Sequence, residues 1–348
     1  MSVLPTRYTE LVGIEHPIIQ EGMGPFKTVA LAAAVSNAGG MGTISMPGMS
    51  QEPSEGAAIM RSHIAACAEL TDKPFAVNVP VGADDTGKVL PITEAYINAV
   101  IEAREADSKV GQQLKVLTTS AGFPRAFAAR IKDAGLIHQH KVGSTRQAIK
   151  AEETGADVII ASGYEMGGHT HHSPVHTFVL LPNVTAAVSV PVLLPGGARD
   201  GRTLAAALAL GASGVAMGTR FIASADNTDW HPSVAQFIVD AREGDDLVFP
   251  GVYGPARGLR TPATDRLLEI VANKEMTTDE LTEWKDHALQ LAQSTGDFEM
   301  GLVAAGQVSS GIRDVIDVAT FVPQMAREAS DILQGLARGL TPASAVRV

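Results

Sequence analysis

Residues 157–169 read Asp-Val-Ile-Ile-Ala-Ser-Gly-Tyr-Glu-Met-Gly-Gly-His and join an apolar run to a glycine-rich turn. The β-branched run 158–161 is typical of a parallel strand that is buried on both faces. Gly167 and Gly168 allow the backbone to approach a flat ligand closely, so Gly168 is a candidate cofactor contact. His169 follows at the end of the strand, where active sites of parallel α/β folds are built. The stretch therefore predicts an α/β fold with His169 as a candidate catalytic residue.

Short apolar runs of the same kind occur at regular intervals on both sides of this stretch, separated by helical patterns. Ser144 and Asp200, both favourable N-cap residues, precede two of the helices. The predicted strands are 17–20, 42–45, 75–79, 116–119, 137–142, 158–161, 192–194 and 215–217. Eight strands alternating with helices predict a (β/α)8 TIM barrel. The alternative is an open doubly wound sheet, but the first strand leads into 21–25, which lacks the third glycine of the dinucleotide fingerprint.

The alternation of strands and helices ends after Phe221. Helical patterns then predominate at 232–241, 265–272, 278–293 and 321–340. We predict a barrel over 1–225 and a C-terminal, mainly helical appendage over 226–348 that acts as a substrate or lid segment. The chain is expected to return to the barrel near 297–315. The appendage either covers the site or forms a homodimer, and the sequence leaves both possibilities open.

Composition limits the classes of partner. The 348 residues carry a formal net charge of -11 and no dense basic run, which excludes a nucleic acid as the expected partner. The N-terminus has no signal-peptide pattern, and no apolar run has the length of a bilayer span, so we expect a cytoplasmic protein without membrane contact. The single cysteine, Cys67, lies on an apolar helix face and is interpreted as a packing residue. A small molecule is the expected substrate.

Two late glycine turns favour a phosphate site. Gly196 and Gly197 follow the strand 192–194, and Gly218 and Thr219 follow the strand 215–217. In (β/α)8 barrels the loops after the last two strands commonly bind phosphate through backbone N–H groups. Turns between strands and helices need glycine in any case, so one such turn is weak support. The pair favours a phosphorylated cofactor.

The early strands end in residues that suit the flat ring of such a cofactor. Gly22 and Met23 follow the first strand, and Asn78 lies within the apolar strand 75–79. A ring system needs apolar contact on its faces and amide hydrogen bonds at its edge. Because a buried amide without partners is costly, either the backbone or a ligand must satisfy Asn78.

Histidines form two further patterns. His169, His171, His172 and His176 fall within eight residues, but the loop lacks cysteines and does not match a known closed site, so no metal is predicted. The last three are expected to line the substrate entrance or to lie in solvent. His138 and His140 share one face of a strand. If that face points inward, they lie under the cofactor and Lys141 points outward; a hydrogen-bonded pair of core histidines is equally compatible with the pattern.

These motifs together resemble those of the nitronate monooxygenase (2-nitropropane dioxygenase) family, which also contains the FMN-dependent enoyl-[acyl-carrier-protein] reductase II. The matching segments extend over nearly the whole chain and are 16–23, 36–42, 77–79, 155–157, 165–169, 196–197, 211–221 and 299–308.

The resemblance implies a TIM barrel with non-covalent FMN, whose phosphate lies on the turns at Gly197 and Gly218-Thr219. It also implies His169 beside the flavin, as an acid, a base or a substrate-binding residue. The residues that it implies near the isoalloxazine and ribityl groups are Met23, Asn78, Glu165 and Gln307.

The resemblance leaves two activities open, of which we predict the first and keep the second as the alternative. The first is oxidation of alkyl nitronates with O₂, which defines the family. The second is NAD(P)H-dependent reduction of FMN and then of an enoyl or other unsaturated carbonyl substrate, such as an acyl-CoA or acyl-carrier-protein thioester. Nitronate oxidisers usually continue Gly-Gly-His with Arg-Gly, whereas this chain has Thr170-His171, and its Ala-Gly-Gln-Val at 305–308 is closer to the enoyl reductases. A flavin-binding protein without turnover is the third hypothesis.

Overall fold

Eight parallel strands form the barrel in the computed structural model, which describes residues 4–49, 51–83, 88–123, 125–251 and 254–339. The barrel strands are β1 (Ile18–Gln20), β2 (Gly42–Ser45), β3 (Phe75–Val81), β4 (Leu114–Ala121), β5 (Ile137–Val142), β6 (Val158–Ala161), β8 (Val192–Pro195) and β9 (Val215–Met217). Their order is β1-β9-β8-β6-β5-β4-β3-β2. Met41, directly before β2, closes the barrel against β1, since its N–H donates to the Ile18 carbonyl at 3.0 Å. The predicted TIM barrel is confirmed.

Helices surround the barrel, and both predicted N-caps are present. Ser144 Oγ accepts from the N–H of Gln147 at 3.3 Å, and Asp200 forms a capping box with Thr203. The helices are α1 (Arg7–Val12), α2 (Val29–Asn37), α3 (Pro53–Leu70), α4 (Pro91–Ala106), α5 (Ser108–Gln113), α6 (Ala128–Asp133), α7 (Thr145–Glu153), α8 (Thr177–Thr185), α9 (Gly201–Ala209), α10 (Thr219–Ile222), α11 (Ser233–Asp240), α12 (Pro262–Asn273), α13 (Thr278–Thr295) and α14 (Val318–Ala337). None of the helices in the described ranges is both long and apolar enough to span a bilayer.

Helix α1 covers the amino end of the barrel. Thr6, its N-cap, donates through Oγ1 to the carbonyl of Ser213, just before β9, and Arg7 donates to the carbonyl of Ser189, just before β8. Tyr8 is fully buried among the inward-facing strand side chains, and its hydroxyl donates to Gln139 Oε1 at 3.2 Å. A ligand of the barrel therefore reaches it from the carboxyl ends of the strands.

A second sheet combines three strands inserted between β9 and the last helix with one short strand from the loop after β6. Its strands are β7 (Gly168–His169), β10 (Asp246–Pro250), β11 (Pro255–Leu259) and β12 (Val303–Ala304). The sequence patterns did not predict these strands, because each is short and lacks a clear alternation of apolar and polar residues. All their pairings are antiparallel, and β11 pairs with each of the other three.

The last helix, α14, packs against α2 and α9 in the ring of helices around the barrel. The predicted boundary at residue 225 thus falls just before the inserted sheet, whereas part of the predicted appendage lies in this ring. A parallel bridge between Ser224 and Ile316 joins the two ends of the inserted segment. The predicted end of the last helix, Leu340, and the chain ends 1–3 and 341–348 lie outside the described residues.

The two histidines of β5 point away from the barrel axis. His138 and His140 are buried, and Thr119 Oγ1 lies 2.8 Å from His138 Nε2 and 2.7 Å from His140 Nδ1. The opposite face of β5 points inward, since Gln139 contacts Tyr8 there. The pair is therefore a set of core histidines, and Lys141 lies on the inward face.

We expect this pair to make the fold acid-sensitive. Burial lowers the pKa of His138 to about 4 and that of His140 to about 3. Unfolded histidine titrates near pH ~6.5, so the unfolded chain binds more protons between these values. The free energy of unfolding should therefore fall as the pH drops from about 6.5 to 4, by up to about 1.4 kcal/mol per pH unit and histidine. Urea unfolding at several pH values measures it. A His140→Gln variant should show a flatter dependence, and an equal slope would contradict the assignment.

Candidate active site

A cavity of about 770 Å³ opens at the carboxyl ends of the barrel strands. Its walls are the turns after β1, β3, β8 and β9, the loop after β6, and residues of the inserted segment. Most of the sequence-predicted site residues come together there. Those that line the cavity are Gly22, Met23, Asn78, Gly168, His169, Gly196, Gly197, Gly218 and Thr219.

The other two predicted residues, Glu165 and Gln307, are not part of the cavity lining. The Glu165 carboxylate accepts hydrogen bonds from the N–H of Thr177 at 3.1 and 3.2 Å, which caps the start of α8, and lies 3.2 Å from His176 Nδ1. The N–H of Gln307 donates to the Glu165 carbonyl at 3.0 Å. These bonds support the loops that carry Met166 and Gly306, which do line the cavity. Contact of Glu165 and Gln307 with a cofactor stays a prediction.

Asn78 presents an unsatisfied polar atom in this cavity. The residue is buried, and its Oδ1 accepts no hydrogen bond from any residue within the described ranges. Gly22 makes room for it, since a Cβ at residue 22 would lie 2.4 Å from the Asn78 Cβ. The side chain is therefore held close to the backbone of the β1 turn.

The two predicted phosphate turns have open, glycine-dependent geometry. Gly196 and Gly197 adopt φ values of 90° and 77°, which only glycine adopts readily. A Cβ on Gly197 would approach Glu165 Oε1 to 3.8 Å and no other atom so closely. In the neighbouring turn, Thr219 Oγ1 accepts from the N–H of Gly306 at 3.0 Å and so ties the inserted segment to the end of β9.

His169 is positioned by the inserted sheet. It forms β7 with Gly168, and the two residues pair with Ala256 and Arg257 of β11. The guanidinium of Arg257 is buried; it forms an ion pair with Asp246 and donates to the carbonyl of Tyr164 at 3.3 Å. The loop after β6 is thus fixed by strand pairing and by one buried arginine.

The environment of His169 favours its neutral form. His169 is exposed towards the cavity, and its pKa is lowered to about 4, mainly by desolvation and further by the positive charges of Lys285 and Lys141. Lys285 is buried, and its Nζ donates to the carbonyl of Gly251 at 2.9 Å. A neutral imidazole near pH 7 donates or accepts a hydrogen bond, and it does not carry a charge into the site.

Sequence reasoning missed five charged residues that line the cavity: Glu21, Lys141, Lys150, Lys285 and Asp286. Lys141 Nζ and Glu21 Oε2 are 2.5 Å apart and join β5 to the turn after β1 across the barrel. Lys285 comes from α13 of the inserted segment. A signal existed for Glu21, which lies within the quoted turn 20–24, and for Lys141, the one charged residue of its strand. No local pattern marks Lys285.

The other histidines of the cluster, His171, His172 and His176, occupy different environments. His171 packs against the backbone of Gly143, where a Cβ would lie 1.9 Å from its ring, and burial lowers its pKa to about 4. His171 and His172 line the cavity, as expected for the substrate entrance, whereas His176 pairs with Glu165 behind it. In the described part of the chain, no three His, Cys, Asp or Glu residues are grouped so as to hold a metal ion.

Comparisons with known proteins agree with this architecture. The family model for nitronate monooxygenase matches residues 5–328. The chain is 34% identical over 310 residues to the (3aS,4S,5R,7aS)-5-hydroxy-7a-methyl-1-oxo-octahydro-1H-indene-4-carboxyl-CoA dehydrogenase of Rhodococcus jostii (strain RHA1), covering 89% of this chain and 74% of that protein. It is 32% identical over 298 residues to a probable nitronate monooxygenase of Staphylococcus saprophyticus, covering 76% and 81%.

A solved structure, FabK from Thermotoga maritima, superposes with a TM-score of 0.84 at 35% identity, covering 97% of this chain and 100% of that chain. The match of the family model extends over the barrel, the inserted sheet and most of α14. The chain is therefore an oxidoreductase that belongs to the nitronate monooxygenase family.

Proposed function

We propose that this protein is an FMN-dependent oxidoreductase that reduces the double bond of an α,β-unsaturated acyl thioester, with NAD(P)H as the electron donor. The observation that carries the proposal is His169, a histidine with a strongly lowered pKa in a cavity whose other walls fit a flavin. When bound, FMN supplies hydride transfer, which no side chain provides.

The residues present fit FMN. The buried, unsatisfied Oδ1 of Asn78 can accept a hydrogen bond from a ring N–H. Met23 offers a polarizable apolar contact, and its Sδ would lie 3.6 Å from a Cβ on Gly218. Gly197, Gly218 and Thr219 would hold the phosphate through their backbone N–H groups.

His169 would act on the substrate carbonyl. A hydride added to the β-carbon places negative charge on the thioester oxygen, and a neutral imidazole N–H placed at that oxygen stabilises the charge. The nearby cations Lys141 and Lys285 keep the imidazole neutral and favour the same negative charge. His169 can then relay a solvent proton to the α-carbon: one ring nitrogen gives up its proton while the other takes one from water, so the imidazole ends neutral.

Three observations favour the thioester over a small nitronate. The relative from R. jostii is named as a carboxyl-CoA dehydrogenase, and the T. maritima FabK covers nearly the whole chain. This chain also has Thr170-His171 where nitronate oxidisers usually have Arg-Gly. A cavity of about 770 Å³ has room for more than a small nitroalkane beside a flavin.

Nitronate oxidation is the second candidate. The family model and the S. saprophyticus relative support it, and the cationic Lys141 and Lys285 suit an anionic nitronate. With FMN bound, this reaction would use O₂ as the final electron acceptor and would need no nicotinamide.

Anaerobic half-reactions separate the two candidates. We expect NADH or NADPH to bleach the bound flavin, and crotonyl-CoA to restore its absorbance by accepting the electrons. Stopped-flow spectroscopy at the flavin absorbance band measures both steps. Bleaching by propionate-3-nitronate with no response to either nicotinamide would reverse the order of the two candidates.

His169→Gln should retain FMN and lose turnover. Because general acid–base groups contribute typically about 10² to 10⁴ in rate, we expect kcat/KM for the thioester to fall by at least about 100-fold. Flavin absorbance after gel filtration checks that the cofactor is retained. In the unmodified protein, with a His169 pKa of about 4, any rate that needs the neutral imidazole should stay constant above about pH 5 and fall towards pH 4. Undiminished turnover in the variant would remove His169 from the mechanism.

Gly197→Ala should weaken FMN binding by about tenfold or more, since the methyl group enters the space expected for the phosphate and one lost charge-assisted hydrogen bond costs about 1.5–3 kcal/mol. Fluorescence titration of the apoprotein with FMN measures the Kd. Gly13→Ala is a matched control, because Gly13 also has φ 77° with no atom within 4 Å of a Cβ and lies outside the cavity lining. If Gly197→Ala and Gly13→Ala bind FMN with the same Kd, backbone strain and not a lost phosphate contact explains a weakened affinity.

A further inference from the structure

A buried ion pair crosses the base of the cavity. Lys141 Nζ and Glu21 Oε2 are 2.5 Å apart, and their side chains are only 14% and 9% exposed. Lys141 lies at the end of β5, and Glu21 follows β1 on the opposite side of the barrel. Both residues line the cavity next to Gly22 and Met23.

The two charges of the pair affect the pKa values of neighbouring side chains. The charge of Lys141 contributes to the lowered pKa of both His169 and His171. Glu21 in turn contributes to the raised pKa of Tyr8 below it. Only one carboxylate oxygen of Glu21 is paired, since Oε1 accepts no hydrogen bond within the described residues. The pair therefore places two opposed charges in a region of low dielectric constant, where each has a long reach.

We propose that Glu21 compensates the charge of Lys141 and thereby holds down the reduction potential of the bound flavin. This inference rests on the proposed FMN site. Two-electron reduction adds negative charge to the flavin ring, so a nearby positive charge favours the reduced form. Glu21 offsets that effect and keeps the reduced flavin a stronger hydride donor. Lys141 alone would make the flavin easier to reduce and slower to pass its electrons on.

The test is a cycle of variants with the reduction potential as its readout. Glu21→Gln leaves Lys141 uncompensated, and the oxidised-to-reduced equilibrium should shift about tenfold or more towards reduced FMN, which is ~30 mV for a two-electron couple. Lys141→Gln leaves Glu21 uncompensated and should shift the equilibrium in the opposite direction. The double variant should return close to the starting potential. Xanthine oxidase titration with reference dyes measures each potential.

Control variants distinguish an effect of charge on the reduction potential from misfolding and from loss of FMN. Glu21→Asp keeps the charge and should leave the potential within a fewfold of the original equilibrium. Glu69→Gln removes an exposed carboxylate 3.3 Å from Lys109, a lysine–glutamate pair far from the cavity lining, and should change nothing. Melting temperature and flavin content are recorded for every variant.

The outcomes distinguish this inference from the proposed function. Wild-type protein that does not bind FMN overturns the proposed function itself. If Glu21→Gln and Lys141→Gln bind FMN but their reduction potentials change in the same direction, or do not change, the role of Glu21 is overturned. The FMN site is then left intact. If Glu21→Gln fails to fold, the Lys141→Gln and double variants still test the proposal. Charge compensation predicts that Lys141→Gln lowers the reduction potential and that adding Glu21→Gln reverses this change.

Discussion

The antiparallel pairing of β7 with β11 is the constraint on which the site depends. Strand β7 has two residues, Gly168 and His169, and has no independent stability. It is held because β11 belongs to a larger sheet and because the buried guanidinium of Arg257 is satisfied by Asp246 and the Tyr164 carbonyl. Breaking that arginine's contacts would leave a buried charge without partners, which is costly. The imidazole is thus fixed by a segment about 90 residues away along the chain, and not by the barrel strand before it.

The barrel is closed at the amino ends of its strands. Helix α1 covers the amino end, and Tyr8 fills the centre beside Gln139. The cavity therefore opens at one end, among turns whose glycines allow backbone to face it. The charges at that end come from four separate elements, β5, the β1 turn, α7 and α13, so the field at His169 is a property of the assembled fold.

Local sequence was sufficient for the barrel and for most of the cavity. Strands such as β6 and β8 are continuous apolar runs, which is what burial on both faces requires, and the caps at Ser144 and Asp200 act within one helical turn. The inserted sheet was not predictable, because β7 and β12 have two residues each and exist only through pairing with β11. The orientation of His138 and His140 was undecided for a related reason. Strand periodicity predicts that they share a face, and only the contact of Gln139 with Tyr8 shows that this face points outward.

The parallel bridge between Ser224 and Ile316 has an evolutionary consequence. Because the Ala225 N–H donates to the Ile316 carbonyl and the Ile316 N–H donates to the Ala223 carbonyl, the segment between them leaves and re-enters the barrel at one point. Such a cassette can lengthen, shorten or be exchanged while α14 still docks between α2 and α9. The barrel can in this way acquire a new wall for its cavity without any change in the strands that precede the turns at Gly197 and Gly218.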